Sequence, residues 1–152
     1  CDAYSFASVQ RILELKRRPI RNGLIVIGGQ AAEFSAELAG LNEEQREKVV
    51  NSWPGPETWI METHRFPAWI TGGRGTVAVR VPGHEQAREM ARRFGGPLVS
   101  TSANRSGEEP KTRQDDVGKG FGSLVDYVLP GSTSASLGPS RIRVAATGEV
   151  LR

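Results

Sequence analysis

Apolar positions along this chain alternate between two spacings. Near the start, Phe6, Val9, Ile12 and Leu13 recur three or four residues apart, with Glu14, Lys16, Arg17 and Arg18 among or after them. That pattern predicts an amphipathic helix from Ser5 onward, stopped by Pro19. Leu24-Ile25-Val26-Ile27, bounded by Gly23 and Gly28, is short and mainly β-branched, and predicts a buried strand. Helical spacing returns from about Ala31 to Leu38 with Gly40 as its stop. Asn42 can cap a polar helix through Glu43-Glu44-Gln45 to Val50, which Trp53-Pro54-Gly55-Pro56 then breaks.

Beyond that break, Thr58 to Met61 and Thr76 to Val81 predict strands, and His84 to Phe94 predicts a helix ending at Gly95-Gly96. Leu98-Val99-Ser100 reads as a buried strand feeding a polar loop, Thr101 to Thr112. Tyr127-Val128-Leu129, Arg141 to Val144 and Glu149 to Leu151 are further strand candidates. Helices and strands that alternate without an internal repeat imply an α/β or α+β domain with a mixed sheet. With 152 residues, 38% of them hydrophobic, the chain can bury one substantial core, so a single domain over residues 1–152 is expected.

Composition narrows the chemistry. Twenty Lys and Arg against 17 Asp and Glu leave a net charge of +3, a mild excess that suits a phosphate-bearing ligand but falls short of a nucleic-acid-coating surface. One cysteine, Cys1, excludes an internal disulfide framework, and no Cys/His spacing resembles a zinc site. No apolar run reaches membrane-spanning length and no signal peptide opens the chain. A cytoplasmic protein without a membrane partner is therefore expected. The opening on Cys1, within a few residues of a helical pattern, reads as a chain lacking an earlier segment.

Three constellations could carry chemistry. Lys16-Arg17-Arg18-Pro19 gathers cations where a helix meets a proline turn. They suit a nucleotide's phosphates, and they also suit the helix macrodipole alone. Pro97 to Gly107 passes from an apolar strand into Ser100-Thr101-Ser102-Ala103-Asn104. Its hydroxyls, amide and backbone N–H groups can surround phosphate oxygens, or simply form a polar turn. Arg80, inside the apolar run Val77 to Val81, either needs a partner or is turned to solvent by period-two alternation. Trp53-Pro54-Gly55-Pro56 can wall a pocket or pack an indole. No Gly-x-x-x-x-Gly-Lys-Ser/Thr loop is present, which disfavours a P-loop nucleotidase. Neither His64 nor His84 stands in a nucleophile setting.

Taken in order, Leu13 to Pro19, Gly23 to Ile27, Trp53 to Thr58, Thr76 to Pro82, Pro97 to Gly107, Pro139 to Arg143 and Thr147 to Arg152 resemble the YrdC/TsaC family of threonylcarbamoyl-AMP synthases. The resemblance implies a single YrdC-like α/β domain, a twisted mixed sheet with flanking helices around a positively lined cavity. It implies an L-threonylcarbamoyladenylate synthase, a nucleotidyltransferase that joins L-threonine, bicarbonate and ATP with release of pyrophosphate. A separate tRNA-modification transferase complex would then receive the product.

Matching motif to motif, the resemblance assigns Lys16, Arg18, Ser102 and Asn104 to catalysis and the nucleotide phosphates. It adds Thr76 and Arg152 to the ATP site, and gives threonine to Arg80 and Ser140. No covalent intermediate is implied, and Mg²⁺ would accompany the ATP. Two departures stand out: the family's leading Pro-Thr-Glu segment has no counterpart here, and Ile27 stands where some relatives carry histidine. The competing expectation is a non-catalytic module of this fold that binds tRNA or double-stranded RNA. A further one is the carbamoyl-transfer domain of hydrogenase-maturation proteins, which the lack of acylphosphatase and zinc-finger patterns disfavours.

Overall fold

The computed structural model describes residues 1–133 and 138–152. Five strands form one mixed sheet: β1 (Ile25–Ile27), β2 (Glu57–Glu62), β3 (Thr76–Arg80), β4 (Leu98–Ser100) and β5 (Arg141–Val144), in the order β4-β1-β3-β2-β5. β1 runs parallel to β3 and β2 parallel to β5, while β1–β4 and β2–β3 are antiparallel. Six α-helices flank the sheet among the described residues: α1 (Phe6–Lys16), α2 (Ser35–Leu38), α3 (Glu43–Asn51), α4 (Ala68–Thr71), α5 (Glu85–Phe94) and α6 (Gln114–Phe121).

Local chemistry explains several boundaries. Ser5 caps α1 by accepting from the Ser8 N–H, and Arg17 ends it in a left-handed conformation at φ 51°, which aims the chain away into Pro19. Asn42 and Gln45 exchange side-chain-to-backbone bonds of 2.9 and 3.0 Å, a capping box that starts α3 where the sequence places it. The helix expected over Ala31–Leu38 is divided, with a 3₁₀ turn over Ala31–Phe34 preceding α2. The Glu33 carboxylate reaches back to the Gly29 and Gln30 N–H groups and holds that first turn tight.

Elsewhere the pattern and the fold part company. α4 is a single turn and α6 contains Gly118 and Gly120, so neither offers a long apolar stripe to read. Tyr127–Leu129 is not a strand, and Tyr127 is 71% exposed. Glu149–Leu151 does not form a strand element. Val150 makes an isolated bridge to Arg143, and Ile142 donates its N–H to the Arg152 carbonyl and accepts from the Leu151 N–H. The N-terminal residues do the same at the opposite edge, where Asp2 bridges Leu98 and the Val99 N–H donates to the Cys1 carbonyl at 2.8 Å.

The sheet has two unlike faces. Val26, Trp59, Met61, Val77, Val79 and Val99 belong to the main core, each large apolar side chain there contributing roughly 1.5–3 kcal/mol by burial. The other face carries Ile25, Ile60, Thr76, Ala78, Arg80 and Ser100 and borders a cleft. α5 covers one end of that second face, packing Ala87 and Ala91 on Ile27 and Leu98. Ile27 is thus a packing residue beneath α5, 5% exposed.

Candidate active site

The cleft encloses about 760 Å³ on the second face of the sheet. Its walls come from segments far apart in sequence: the turn after α1, the α4–β3 turn, the loop after β4, and Gly138–Ile142 with the C-terminal residues. Among its described lining residues are four arginines, Arg18, Arg74, Arg80 and Arg152, and no Asp or Glu. A second hollow of about 450 Å³ on the outer side of α1 is lined by Phe6, Leu13 and Ile20 among others. It brings fewer polar groups together, so the cleft is the candidate site.

β3 supplies the floor by simple alternation. Val77 and Val79 point into the core, while Thr76, Ala78 and Arg80 are half-buried on the cleft side. Across the register, Ser100, Ile25, Ala78 and Ile60 form one row through four strands. The Arg80 Nε donates to the Gly55 carbonyl at 2.8 Å, and no other hydrogen bond from its guanidinium is found among the described residues. Burial pulls this guanidinium below its ordinary value, and Glu57's charge offsets that only in part.

Gly55 reveals what the Trp53–Pro56 turn does. A Cβ there would lie 2.2 Å from the Ser52 carbonyl oxygen, so only glycine permits this close approach. Gly55 also pairs with the end of β3, donating to Val81 O at 2.9 Å and accepting from Gly83 N. Trp53 is buried and donates Nε1 to the Glu57 carbonyl at 2.9 Å. The turn therefore packs an indole and at the same time fixes the direction of Arg80.

Lys16 is 6% exposed and works from behind the polar loop. Its ammonium donates to the Ser102 carbonyl at 2.5 Å and the Asn104 carbonyl at 2.6 Å, with the Asn104 Oδ1 at 3.5 Å. Ser102 Oγ donates to Asn104 Oδ1 at 2.6 Å, and Asn104 Nδ2 donates to the Arg105 and Glu108 carbonyls. Lys16 and Asn104 thus shape the loop, whereas Ser102 lines the cleft. Burial, and then the charge of Arg18, hold the Lys16 ammonium below the usual lysine range.

Arg18 docks on the start of β1, donating Nε and Nη2 to the Gly23 carbonyl at 3.1 and 2.9 Å. Burial and the neighbouring charge of Arg152 lower its affinity for its proton. Thr58 Oγ1 donates to Ser140 Oγ at 3.0 Å, and Arg152 Nη2 donates to the Ser140 carbonyl at 3.3 Å. Arg18, Thr76, Arg80, Ser102, Ser140 and Arg152 all line this one cleft. Four guanidinium groups distributed along one cleft, with no Asp or Glu among its described lining residues, suit an anionic ligand.

Sequence reasoning missed Arg74 and Thr58 as site residues, and named Gly55 only as part of the Trp53–Pro56 turn. The run Gly72-Gly73-Arg74-Gly75 was the available signal for Arg74, a cation on a turn built of glycine. Glu57 was also missed. This buried carboxylate is held by Arg141 and Arg143 across β2–β5, the latter at 3.0 Å. His84 sits away from the cleft lining, with its Nε2 2.9 Å from the Ser132 carbonyl. Among the described residues no three His, Cys, Asp or Glu side chains cluster as metal ligands. The hydroxyl, carbonyl and guanidinium groups of the cleft do not make a protein cage for a divalent cation such as Mg²⁺.

The family described as "Telomere recombination", Sua5/YciO/YrdC, matches residues 1–152. The chain belongs to this family. A protein of Hahella chejuensis named threonylcarbamoyl-AMP synthase is 42% identical over 153 residues, an alignment covering 100% of this chain and 83% of that protein. Among solved structures, P. abyssi Sua5 complexed with L-threonine superposes with a TM-score of 0.87 at 30% identity, covering 95% of this chain and 43% of that one. A double variant of the same Sua5 gives 0.92 at 29% identity, covering 100% of this chain and 48% of the Sua5 chain. The chain therefore spans most of the Hahella protein and about half of Sua5. None of its helices is long and apolar enough to cross a membrane among the described residues.

Proposed function

We propose that this chain is a threonylcarbamoyl-AMP synthase, converting L-threonine, bicarbonate and ATP into threonylcarbamoyl-AMP and pyrophosphate. The observation that carries the reading is the cleft, in which cations and hydroxyls from separated segments surround an apolar floor with no acid among the lining residues. Identity of 42% with a protein bearing that name supports it.

In this reading Arg80 and Ser140 hold threonine. The unengaged edge of the Arg80 guanidinium takes the carboxylate as a paired, charge-assisted contact, and Thr58 orients the Ser140 hydroxyl by donating to it. Arg18, Thr76, Ser102 and Arg152 contact the nucleotide. Lys16 and Asn104 keep the Ser102 loop in shape while the Lys16 charge offsets that of the phosphates. Threonine carboxylated on its nitrogen by bicarbonate attacks the α-phosphorus directly, without a covalent enzyme intermediate. The protein's main contribution is to hold two anionic reactants in reacting geometry. Mg²⁺ would enter with ATP, a transferase complex would consume the product in tRNA modification, and the reaction would run in the cytoplasm.

The test is pyrophosphate release from ATP with threonine and bicarbonate omitted in turn, for the wild-type chain and for Ser102→Ala. Release that requires both co-substrates and falls sharply in the folded variant is the expected result. Release that is indifferent to threonine, or none from a folded wild-type chain, would overturn the reading.

A further inference from the structure

Arg74 stands in the turn Gly72–Gly75 between α4 and β3, at the mouth of the cleft. Its guanidinium is exposed and makes one hydrogen bond among the described residues, from Nη2 to the Arg21 carbonyl at 3.0 Å. It enters none of the ion pairs found among those residues. Glu62, opposite Thr76 across the β2–β3 register, is the neighbouring carboxylate in that register and is not paired with it.

The turn is held in place by the same backbone that anchors Arg18. Leu24 N donates to the Ile70 carbonyl at 2.9 Å. A Cβ on Gly72 would come within 2.6 Å of the Arg21 carbonyl oxygen and 2.9 Å of the Gly23 nitrogen. Gly72 and Gly73 also adopt φ of +69° and +81°, which glycine alone reaches without strain. Gly23 in turn offers the carbonyl that accepts from both Nε and Nη2 of Arg18. One backbone junction, Arg21–Gly23 against Ile70–Gly72, therefore fixes two guanidinium groups at one end of the cleft. β3 separates that end from Arg80 by the rise from Thr76 to Arg80, roughly 13 Å.

We propose that Arg74 binds the β- and γ-phosphates of ATP and retains the departing pyrophosphate. The proposal rests on the synthase reading. In that reaction a carbamate oxygen of carboxylated threonine bonds to the α-phosphorus while the bond from that phosphorus to the oxygen bridging to the β-phosphorus breaks. The bonding pair leaves with pyrophosphate, so negative charge grows on the leaving group and no proton transfer is required. A guanidinium at the mouth, remote from Arg80 and with unengaged N–H groups, meets that growing charge where the product exits.

The experiment is calorimetric binding of ATP, inorganic pyrophosphate, AMP and threonine to the wild-type chain, Arg74→Ala and Arg74→Lys, with thermal melts as the check on folding. Arg74→Ala should weaken ATP and pyrophosphate binding roughly ten- to a hundredfold, the loss of one or two charge-assisted hydrogen bonds. AMP and threonine binding should stay within about twofold, and Arg74→Lys should recover part of the loss. An equal loss for AMP would overturn the proposal by moving Arg74 to the nucleoside or α-phosphate, and so would unchanged ATP binding in a folded Arg74→Ala. A wild-type chain that binds neither ATP nor pyrophosphate would overturn it through the synthase reading itself.

Discussion

Arg65 lies beyond the end of β2 and Arg80 ends β3, both partly withdrawn from water, yet their charges are treated in opposite ways. Arg65 donates Nε and Nη2 to the Glu37 carboxylate at 2.9 and 2.8 Å and a further bond to the Glu33 carbonyl, with its guanidinium 4.5 Å over the Phe66 ring. Glu37, its side chain 1% exposed, also accepts from Thr63 Oγ1 at 2.8 Å. The hydrogen bond to Glu37 raises the Arg65 pKa above its ordinary value, against the opposing effect of burial. Arg80 has one carbonyl partner, and burial lowers its pKa. A fully partnered charge fastens one element to another, whereas an under-partnered charge facing a cleft is available to a ligand.

The sharpest way to break this contrast is to remove each guanidinium. Arg65→Ala leaves a buried carboxylate without its counter-ion and should cost roughly 2–4 kcal/mol of stability, the value for a broken buried pair reduced because Arg65 itself is about one-third exposed. Denaturant titration reads that loss, and threonine affinity in the surviving folded fraction should be unchanged. Arg80→Ala should do the reverse, lowering threonine-dependent turnover about a hundredfold, mainly through KM, for the loss of a paired charge-assisted contact worth about 2–3 kcal/mol. A melting temperature that falls as far for Arg80→Ala as for Arg65→Ala would make both residues scaffold and end the distinction.

A smaller effect concerns Lys16, an intermediate case that is buried, bonded to carbonyls and close to Arg18. Its folded-state pKa is lowered, so between that value and the ordinary lysine value the unfolded chain binds more protons than the folded one. In that window the stability contributed by this group rises with pH, having been least below the folded-state pKa. Turnover should fall across the same window as the ammonium loses its charge. An NMR titration of the Lys16 Nζ checks both, and a midpoint within the ordinary lysine range would remove the effect.

Much of this architecture was readable along the chain. The alternation of Val77 and Val79 with Thr76, Ala78 and Arg80 marks a strand between unlike environments, and Asn42 with Gln45 spells out a helix start. α6 was not readable because its two glycines and single buried Phe121 leave little periodic signal. Tyr127–Leu129 misled because a short apolar run has β character without a neighbouring strand to pair with. At the site, Arg18, Thr76, Arg80, Ser102, Ser140 and Arg152 were named from motifs and share one cleft. Lys16 and Asn104 lie behind it, since their polar atoms are taken up within the loop.

Amino-acid order alone marks most of the segments that bury apolar side chains, the ends of α1, α3 and α5, and the cations and hydroxyls available to a site. Those properties follow from local periodicity and from side chains meeting their own neighbours. Folding brings Gly55 to Arg80, Glu37 to Arg65, and the Gly72 turn that carries Arg74 to the backbone that anchors Arg18. Each of these depends on contact between segments tens of residues apart, and whether a charge becomes a fastener or a binding group is settled by the partners that arrive there.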